Sequence, residues 1–582
     1  MILEIGRLAL ILSYVFLLPL VARNQHQKQR LLYIHWVCLI LALMALFLGF
    51  AMLDPNMAYV RMHSAPGMSL YYRLSALWSG HSGSLLLMFS ILATWVVVTV
   101  RFSTEQTICF RRYAMLMGGL LTIQLLFNNP FIKSETTMGF SGLNPLLQDF
   151  GMMIHPPILY IGYVASVVPF LIVVSEQALG KTSLYWIKLT CLSALAILTL
   201  GIILGSWWAY RILGWGGYWA WDPVENASLL PWLLQLGLLH AVIANQRRMI
   251  EWLSIIGFVV TLISTTLVRS GSMVSVHSFM KQDAILQSLG MFSLGLLVYA
   301  VYHRRDTLFQ PIPIPIPIPK PFTFHFYIVL LTAGFLLLTL ILPLLFGMFQ
   351  IPLVFSEALF VKVAGYIGIA CTMALSYYLK PQLKLFGMGA MSIAYVGYLV
   401  GDMMTVTLLA FVVMALMLYY ARGYKNIAHI GFLCFIGFVC LNHLQSYSVD
   451  IMLAEGESQQ IHNHTITLLE IKDKKSLQFI EKQAVMKIND DILKPAIRYF
   501  PLNDTAVAIS DTLLYSYWEW YTVLGALTDE GLWSISIHQQ YWVRWIWLSG
   551  ILMVIGIVRT KRNLNQEDKD ENDSIKHNGY TQ

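Results

Sequence analysis

The sequence has little charge. Only 12% of its 582 residues are charged and 57% are hydrophobic, whereas soluble domains carry about 25% charged residues. Apolar runs of about 20 residues, long enough to cross a bilayer, recur along most of the chain. These features exclude an ordinary soluble domain. The expected fold class is an all-α polytopic membrane protein.

The sequence also has no CxxC motif, and no signal peptide is expected. Its six cysteines include no CxxC, so neither a disulfide framework nor a thiol redox centre is expected. The first residues, "MILEIGRLALILSYVFLLPLVAR", have no basic n-region and no small-residue cleavage site, so we expect a retained first span. Basic loops account for the net charge of +7. Nothing indicates binding to nucleic acid.

Hydropathy predicts 15 transmembrane helices. Their expected ranges are 5–22, 31–53, 82–100, 113–128, 156–174, 185–206, 227–245, 252–269, 283–302, 324–346, 358–378, 386–400, 404–420, 425–442 and 542–559. Basic residues cluster after alternate spans, which is typical of cytoplasmic loops. The clusters are Arg23, Lys28 and Arg30; Arg101, Arg111 and Arg112; Arg247 and Arg248; Arg304 and Arg305; Lys380 and Lys384; Arg422 and Lys425; and Lys561 and Arg562. This pattern predicts a periplasmic N-terminus and a cytoplasmic C-terminus.

Three domains are expected. Residues 1–442 form a transmembrane bundle, with an outer loop at 207–226 between the sixth and seventh spans. Residues 443–541 alternate apolar and polar positions, as in "HTITLLEI" and "GLWSISIH", which indicates a small β-rich periplasmic domain. Residues 542–582 supply the last span and a cytoplasmic tail. The repeat "PIPIPIPIP" at 311–319 is typical of an extended polyproline linker.

The stretch "WGGYWAWDPVENASLLPWL" (215–233) carries an unusual density of aromatic rings. Tryptophan belts at membrane interfaces are common, so an interfacial belt is one interpretation. A belt does not account for the two glycines, the proline and the carboxylates of Asp222 and Glu225 among the rings. These residues favour a rigid apolar platform for a flat, hydrophobic ligand.

Four of the fifteen histidines are candidate ligands. His155, which we expect at the start of the fifth span, and His277 are both predicted at the outer rim. His240 lies about 13 residues, or roughly 20 Å, into the seventh span, and His429 lies about one turn into the fourteenth from the cytoplasmic side. Because these spans run in opposite directions, the last two histidines reach a similar depth and could ligate one haem iron. The alternative for each is a hydrogen-bonded packing histidine, which we expect for His35, His81 and His325.

Several motifs resemble the CcmF family, the haem lyase component of bacterial system I cytochrome c maturation. Besides the tryptophan stretch, they are "YYRLSALWSGHSGSLLL" (71–87), "NPLLQDFGMMIHPPILYIGYV" (144–164), "LVRSGSMVSVHSF" (267–279), "AHIG" (428–431) and "YWVRWIW" (541–547). The resemblance covers nearly the whole chain. It implies a haem platform, the WWD motif, made of Trp215, Gly216, Gly217, Trp219, Trp221, Asp222, Pro223, Glu225, Asn226, Pro231 and Trp232. It also implies that His155 and His277 flank an outer haem, and that His240 and His429 ligate a stable b-type haem inside the membrane.

The implied function is addition of two cysteine thiols, from the CxxCH motif of apocytochrome c, to the haem vinyl groups. The thiols come from the substrate, so no catalytic nucleophile is expected in this chain. The resemblance implies a CcmE-like haem chaperone and a CcmH-like, thioredoxin-like subunit as partners in the inner membrane, with quinol as a candidate electron source. Arg269 either pairs with a haem propionate or extends to solvent from the edge of its span.

Three alternatives remain open. A haem transporter predicts polar residues along a midplane pathway, but Asp402 and the deep histidine pair are the few candidates. A respiratory b-type cytochrome would need four deep histidines, and only two are present. A paralogue dedicated to nitrite reductase maturation shares every motif quoted above.

Overall fold

The computed structural model describes residues 1–21, 25–270, 283–309, 321–363 and 427–578, apart from residues 104, 106, 136–138, 177, 352, 357, 358 and 361. In these ranges the chain is mostly helical, with a β-rich domain between the last two helices. The helices are α1 (Ile2–Val15), α2 (Gln25–Met52), α3 (Ala58–His63), α4 (Leu70–Ser75), α5 (His81–Phe102), α6 (Phe110–Phe127), α7 (Phe150–Val164), α8 (Val167–Ser175), α9 (Lys181–Ile212), α10 (Pro223–Ile243), α11 (Arg247–Ser270), α12 (Asp283–Leu308), α13 (Pro321–Met348), α14 (Ile427–Gln445) and α15 (Val543–Asn578).

Ten helical segments in the described ranges are long and apolar enough to cross a membrane. They confirm the predicted fold class, a polytopic helical membrane protein. The fourth and ninth predicted spans are also helical, as α6 and α12, although they are not among those ten. The eleventh to thirteenth predicted spans fall almost entirely outside the described residues. The total of fifteen spans therefore stays a prediction.

Helix α9 is the central element for the candidate site, because it packs against α7, α10 and α15. Its 32 residues correspond to a length of about 48 Å, well beyond the ~30 Å hydrocarbon core of a bilayer. The outer loop predicted at 207–226 is therefore shorter than expected. Residues 207–212 complete α9, residues 223–226 begin α10, and only residues 213–222 are irregular.

Contacts with the β-rich domain and with α15 explain why α9 continues past the predicted boundary. Tyr210, in its last turn, is 2% exposed. Its ring lies 4.8 Å from that of Tyr521 and 5.4 Å from that of Trp547. Hydropathy of the segment alone contains no information about these partners.

Helix α7 begins earlier than the prolines suggested. Asp149 is its N-cap and accepts a hydrogen bond from the Gly151 amide at 2.7 Å. The prolines therefore lie inside the helix. Pro156 has no N–H to give to the carbonyl of Met152, and the Trp78 indole donates to that carbonyl instead at 2.8 Å. His155 consequently lies on the second turn of the helix, facing the bundle.

The β-rich domain consists of ten strands in two antiparallel sheets. One sheet has the order β1-β10-β9-β8, and the other has the order β2-β3-β4-β6-β7 with β5 paired to β4. The strands are β1 (Tyr447–Leu453), β2 (Ser458–Ile461), β3 (His464–Lys475), β4 (Ile480–Ile488), β5 (Asp491–Leu493), β6 (Ala496–Phe500), β7 (Thr505–Ile509), β8 (Asp511–Leu514), β9 (Trp518–Leu527) and β10 (Trp533–Tyr541). Apolar residues from both sheets share one core.

The domain is attached to the helical bundle at both of its ends. The chain enters it from α14 and leaves it into α15, and these two helices pack closely against each other. A Cβ atom on Gly556 would lie 2.2 Å from the Ala428 nitrogen, and one on Gly431 would lie 2.6 Å from the Met553 nitrogen. Glycine at both crossings permits this close approach. Contacts of this domain with Tyr210 and Gly216 place it at the end of the bundle where α9 ends and α10 begins.

Candidate functional site

The segment "DPVEN" forms the start of α10. Asp222 is the N-cap, and its Oδ1 accepts a hydrogen bond from the Val224 amide at 2.9 Å. Glu225 Oε2 accepts from the amides of Asp222 at 3.1 Å and Ala220 at 2.9 Å, which completes a capping box. Pro223 occupies the first helical position, where its fixed φ is favourable. Both carboxylates therefore bond to the loop's own backbone.

Trp221, just before that cap, has an unusual backbone conformation. Its φ is 55°, in the left-handed region that favours glycine. Asn226 Nδ2 donates to the Trp221 carbonyl at 2.9 Å. The Trp221 ring stacks on Phe360, with centroids 5.3 Å apart and planes 6° apart. Backbone strain and ring stacking thus fix one face of the loop.

The predicted platform tryptophans do not share one surface. Trp219 lines a cavity in the bundle, and its ring meets that of Trp221 edge-on at 6.0 Å. Trp215 is 38% exposed on the outside of the loop. Trp232 belongs to α10, where its indole donates to Thr199 Oγ1 at 2.9 Å. Among these rings, Trp219 alone is part of the described cavity wall.

The cavity beside the loop has a volume of about 220 Å³. Aromatic side chains form much of its wall, and polar or ionisable side chains complete it. The lining includes Trp78, His81, Ser84, His155, Tyr160, Trp208, Trp219, Glu225 and Arg269. An apolar cavity with a few convergent polar groups is typical of a ligand site.

The position of His155 in this cavity is tightly fixed. Its Nδ1 lies 2.7 Å from the Gly201 carbonyl oxygen on α9. The imidazole packs so closely on α9 that a Cβ atom on Gly205 would lie 2.4 Å from its Cε1. Because a carbonyl only accepts hydrogen bonds, we assign the proton to Nδ1. Nε2 is then the nitrogen with a lone pair suited to a metal.

Two further residues of the cavity wall carry polar groups. His81, which was expected to be structural, lines the same cavity as His155. Arg269 is only 7% exposed, so it does not extend to solvent. Both lie within the quoted motifs "WSGHSGS" and "LVRSGS", but their spacing in the chain does not reveal that they share a wall.

The other predicted ligands are placed as follows. His277 lies outside the described residues. His240 is in the last turn of α10, with Nδ1 2.8 Å from the Leu236 carbonyl oxygen. His429 is in the first turn of α14. His240 is deeper than expected because α10 begins at Pro223, about 26 Å before it along the helix axis. Both histidines therefore lie at the helix ends opposite the β-rich domain.

The β-rich domain clamps the tryptophan loop from outside. Gln540 Nε2, on β10, donates to the Gly216 carbonyl at 2.9 Å. Gly216 has a φ of 70°, and a Cβ atom there would lie 2.5 Å from His538 Nδ1. Burial lowers the pKa of His538, while Asp450 partly opposes that shift. A neutral imidazole thus covers the turn of the loop.

A buried polar cluster ties the same domain to the end of α9. The Tyr210 hydroxyl donates to Glu519 Oε1 at 2.6 Å, and Arg544 Nε lies 3.4 Å from Glu519 Oε2. Burial raises the pKa of Glu519, while the Tyr210 hydroxyl and the Arg544 guanidinium partly offset that shift. Burial also raises the pKa of Tyr218 in the loop. The cluster fixes the distance between α9 and the domain.

Gly216→Ala tests the clamp. We expect it to shift the near-UV circular dichroism of the tryptophans and to lower the melting temperature of the protein in detergent. The matched control is Gly456→Ala, because Gly456 has a φ of 82° but no atom within 4 Å of the added methyl group. Both variants carry the left-handed backbone cost of about 1 kcal/mol. Equal effects from the two would contradict contact between His538 and the loop.

Comparisons with known proteins agree with this architecture. Residues 78–275 match the family model described as "Cytochrome C assembly protein". The chain is 30% identical to "Cytochrome c-type biogenesis protein CcmF" of Escherichia coli (strain K12), over 88% of each chain. It is 29% identical to "Probable cytochrome c-type biogenesis protein NrfE" of the same organism, over 89% of this chain and 92% of that protein.

A solved structure, "Cytochrome c Heme Lyase CcmF", has the same fold. It matches with a TM-score of 0.76 over 96% of both chains, at 17% sequence identity. The full-length similarity to the Escherichia coli protein is sufficient to assign the family. The chain belongs to the CcmF family of cytochrome c-type biogenesis proteins.

Proposed function

We propose that this chain binds haem in the cavity beside the tryptophan loop and presents it to the CxxCH thiols of apocytochrome c. The observation that carries the proposal is the shared wall of His155, Trp219 and Arg269, which offers a metal-ligating nitrogen, an aromatic ring and a cation in one cavity. Membership of the CcmF family supports a role in cytochrome c maturation. The printed name of the structural relative, a haem lyase, supports the reaction type.

The orientation in the inner membrane follows from the basic loops. We place the β-rich domain and the tryptophan loop in the periplasm, with the N-terminus on that side and the C-terminus in the cytoplasm. The cavity then opens where an exported apocytochrome would arrive. The sequence pattern that supports this orientation is the clustering of Lys and Arg residues after alternate predicted spans.

The protein's contribution to the reaction is orientation. Each substrate thiol adds across one vinyl double bond: sulfur bonds to the inner vinyl carbon, and the thiol proton is transferred to the outer one. No electrons are gained or lost, and no group of this chain becomes covalently attached. His155, fixed by the Gly201 carbonyl, would hold the iron, and Trp219 would lie against the ring. When bound, haem itself supplies the electrophilic vinyl groups.

In our proposal His277 would supply the second ligand of the outer haem iron, a position that the histidine of the substrate's CxxCH motif would occupy in the product. His240 and His429 ligate a separate, stable b-type haem near the cytoplasmic ends of α10 and α14. When bound, that haem would serve to keep the outer haem iron ferrous, the state that favours thioether formation, with quinol as the candidate electron donor. A CcmE-like chaperone delivers haem, and a CcmH-like subunit presents the apocytochrome.

The similarity to NrfE favours a second candidate substrate, a cytochrome of nitrite reductase. Its identity to this chain, 29%, is nearly equal to that of the Escherichia coli CcmF protein. The chemistry at the site is the same for either apocytochrome. Reporter cytochromes of both kinds, expressed separately with this chain, would decide between them by covalent haem staining.

The histidine assignments predict separable spectra. His240→Ala and His429→Ala should each abolish the low-spin b-type spectrum of the purified protein, because each removes one iron ligand. His155→Ala should keep that spectrum but fail to mature a reporter cytochrome c. His443→Ala, an exposed position on α14, is the control and should behave as wild type. A normal low-spin spectrum in both His240→Ala and His429→Ala would overturn the inner-haem assignment.

The position of Trp219 predicts a graded loss of maturation. Trp219→Phe should retain more activity than Trp219→Ala, because phenylalanine keeps an aromatic face for the ring. Trp215→Ala should have the smaller effect of the two alanine changes, since Trp215 lies outside the cavity wall. Maturation is measured as covalent haem per reporter, normalised to membrane expression. If Trp219→Ala matures cytochrome normally, the tryptophans form only an interfacial belt.

A further inference from the structure

Arg269 is a buried cation in the wall of the cavity. It lies in the last turn of α11 and is 7% exposed. Its guanidinium donates to Ser84 Oγ, at 3.2 Å from Nη2 and 3.4 Å from Nε, and to the Thr265 carbonyl at 3.5 Å. It also lies over the ring of Tyr160, 5.4 Å from the centroid. All of these partners are neutral, and the hydrogen bonds are long.

Among the described residues, the other buried arginine, Arg304, has a carboxylate partner, with Nη2 2.5 Å from Glu251 Oε1. Arg544, which is only partly buried, also pairs with a carboxylate, that of Glu519. In the part of the chain that the structure describes, no carboxylate lies within ion-pair distance of Arg269. Glu225 lines the same cavity, but its Oε2 accepts from the two loop amides described above. Since buried charges are normally paired, Arg269 is suited to an anion from outside the chain.

His81 adds a second polar group to the same wall. Its Nε2 is buried and has no hydrogen-bond partner within the described ranges. Ser84, which accepts from Arg269, donates through its Oγ to the His81 carbonyl at 3.1 Å. His81 is also the first residue of the 22-residue helix α5, where the helix dipole favours negative charge. Two independent features, an uncompensated cation and an unbonded ring nitrogen, therefore meet at one place.

We propose that Arg269 and His81 form a carboxylate-binding site in the cavity wall. The inference rests on the proposed function, and it identifies the ligand group as a propionate of haem. The guanidinium matches the two oxygens of a carboxylate. His81 donates through Nε2–H to the same group. The carboxylate thus satisfies both side chains at once.

Such a site would set the orientation of the ring. In haem the propionates lie on one edge and a vinyl group lies on each of the other two pyrroles. Binding of the acidic edge at Arg269, together with iron ligation at His155, removes the rotational freedom of the ring in its plane. The vinyl-bearing edge then faces away from α11, where the thiols of the substrate can reach it.

The test compares iron protoporphyrin IX with its dimethyl ester, in which the carboxylates are blocked. The purified full-length protein is titrated with each compound in detergent, at a pH where the free propionates are ionised, and Kd is read from the absorbance change. Binding to wild type should be at least about 10-fold tighter for the free acid, the range of a charge-assisted hydrogen bond. The His155→Ala variant measures binding that does not depend on iron ligation in the cavity.

The preference for the free acid should depend on the two wall residues. Arg269→Met should bring the affinity ratio close to one, while Arg269→Lys should retain part of the preference because it keeps the charge. His81→Phe should reduce the ratio, since it removes the donor and keeps a ring. Arg61→Met, on α3 and outside the cavity lining, should leave the ratio unchanged.

The outcomes distinguish the carboxylate-site proposal from the proposed haem-binding function. Equal affinities of wild type for acid and ester would overturn the carboxylate site while leaving haem binding intact. Failure of wild type to bind either compound would overturn the proposed function itself. The melting temperature of Arg269→Met without porphyrin should equal or exceed that of wild type, because an uncompensated buried charge has been removed. A clear fall would show that Arg269 is paired within the protein and would contradict the inference.

Discussion

The site depends on how the irregular segment 213–222 is held. One end is fixed by the capping box of Asp222 and Glu225, which starts α10. The other is fixed by Gln540 and His538, which hold Gly216 from the β-rich domain. A loop between two membrane helices would otherwise be mobile, since it has few internal hydrogen bonds. Because the segment is held at both ends, Trp219 stays in the wall of the cavity.

Charge is distributed unevenly around this loop. At the contact with the β-rich domain, Glu519 accepts a hydrogen bond from Tyr210 and pairs with Arg544, so its polar groups have partners within the protein. In the cavity the positive charge of Arg269 has only neutral partners in the described residues. The first arrangement stabilises the fold without a ligand. The positive charge of Arg269 is balanced only when an anion enters the cavity. The Glu519 cluster therefore belongs to the scaffold, and Arg269 belongs to the binding site.

Local sequence patterns predicted those features of the fold that depend on local interactions. Long apolar runs predicted the helical bundle, and period-two alternation predicted the β-rich domain. Both patterns arise directly from burial, in lipid for the helices and on one face of a sheet for the strands. The extension of α9 to Ile212 was missed, since it depends on Tyr521 and Trp547, which are more than 300 residues away. The start of α7 was predicted too late, because an indole satisfies the carbonyl that Pro156 releases.

The candidate site was predicted in part for the same reason. The sequence indicated a rigid loop with Asp222 and Glu225 among its rings, and the capping box that these two residues form is a local feature. His81, His155 and Arg269 line one cavity because of the tertiary fold, and no spacing in the chain encodes this arrangement. Trp215, Trp221 and Trp232 were grouped with Trp219 by sequence proximity, but they point to different surroundings. His277 falls outside the described residues, so its place at the outer site stays a prediction.

The central claim is that haem binds between His155 and Trp219, beside the clamped loop. The most direct test is an electron cryomicroscopy map of the full-length protein purified with saturating haem. We predict density for a porphyrin in this cavity, with the iron bonded to His155 Nε2 and the ring against Trp219. Haem density elsewhere on the periplasmic face, with this cavity empty, would contradict the account.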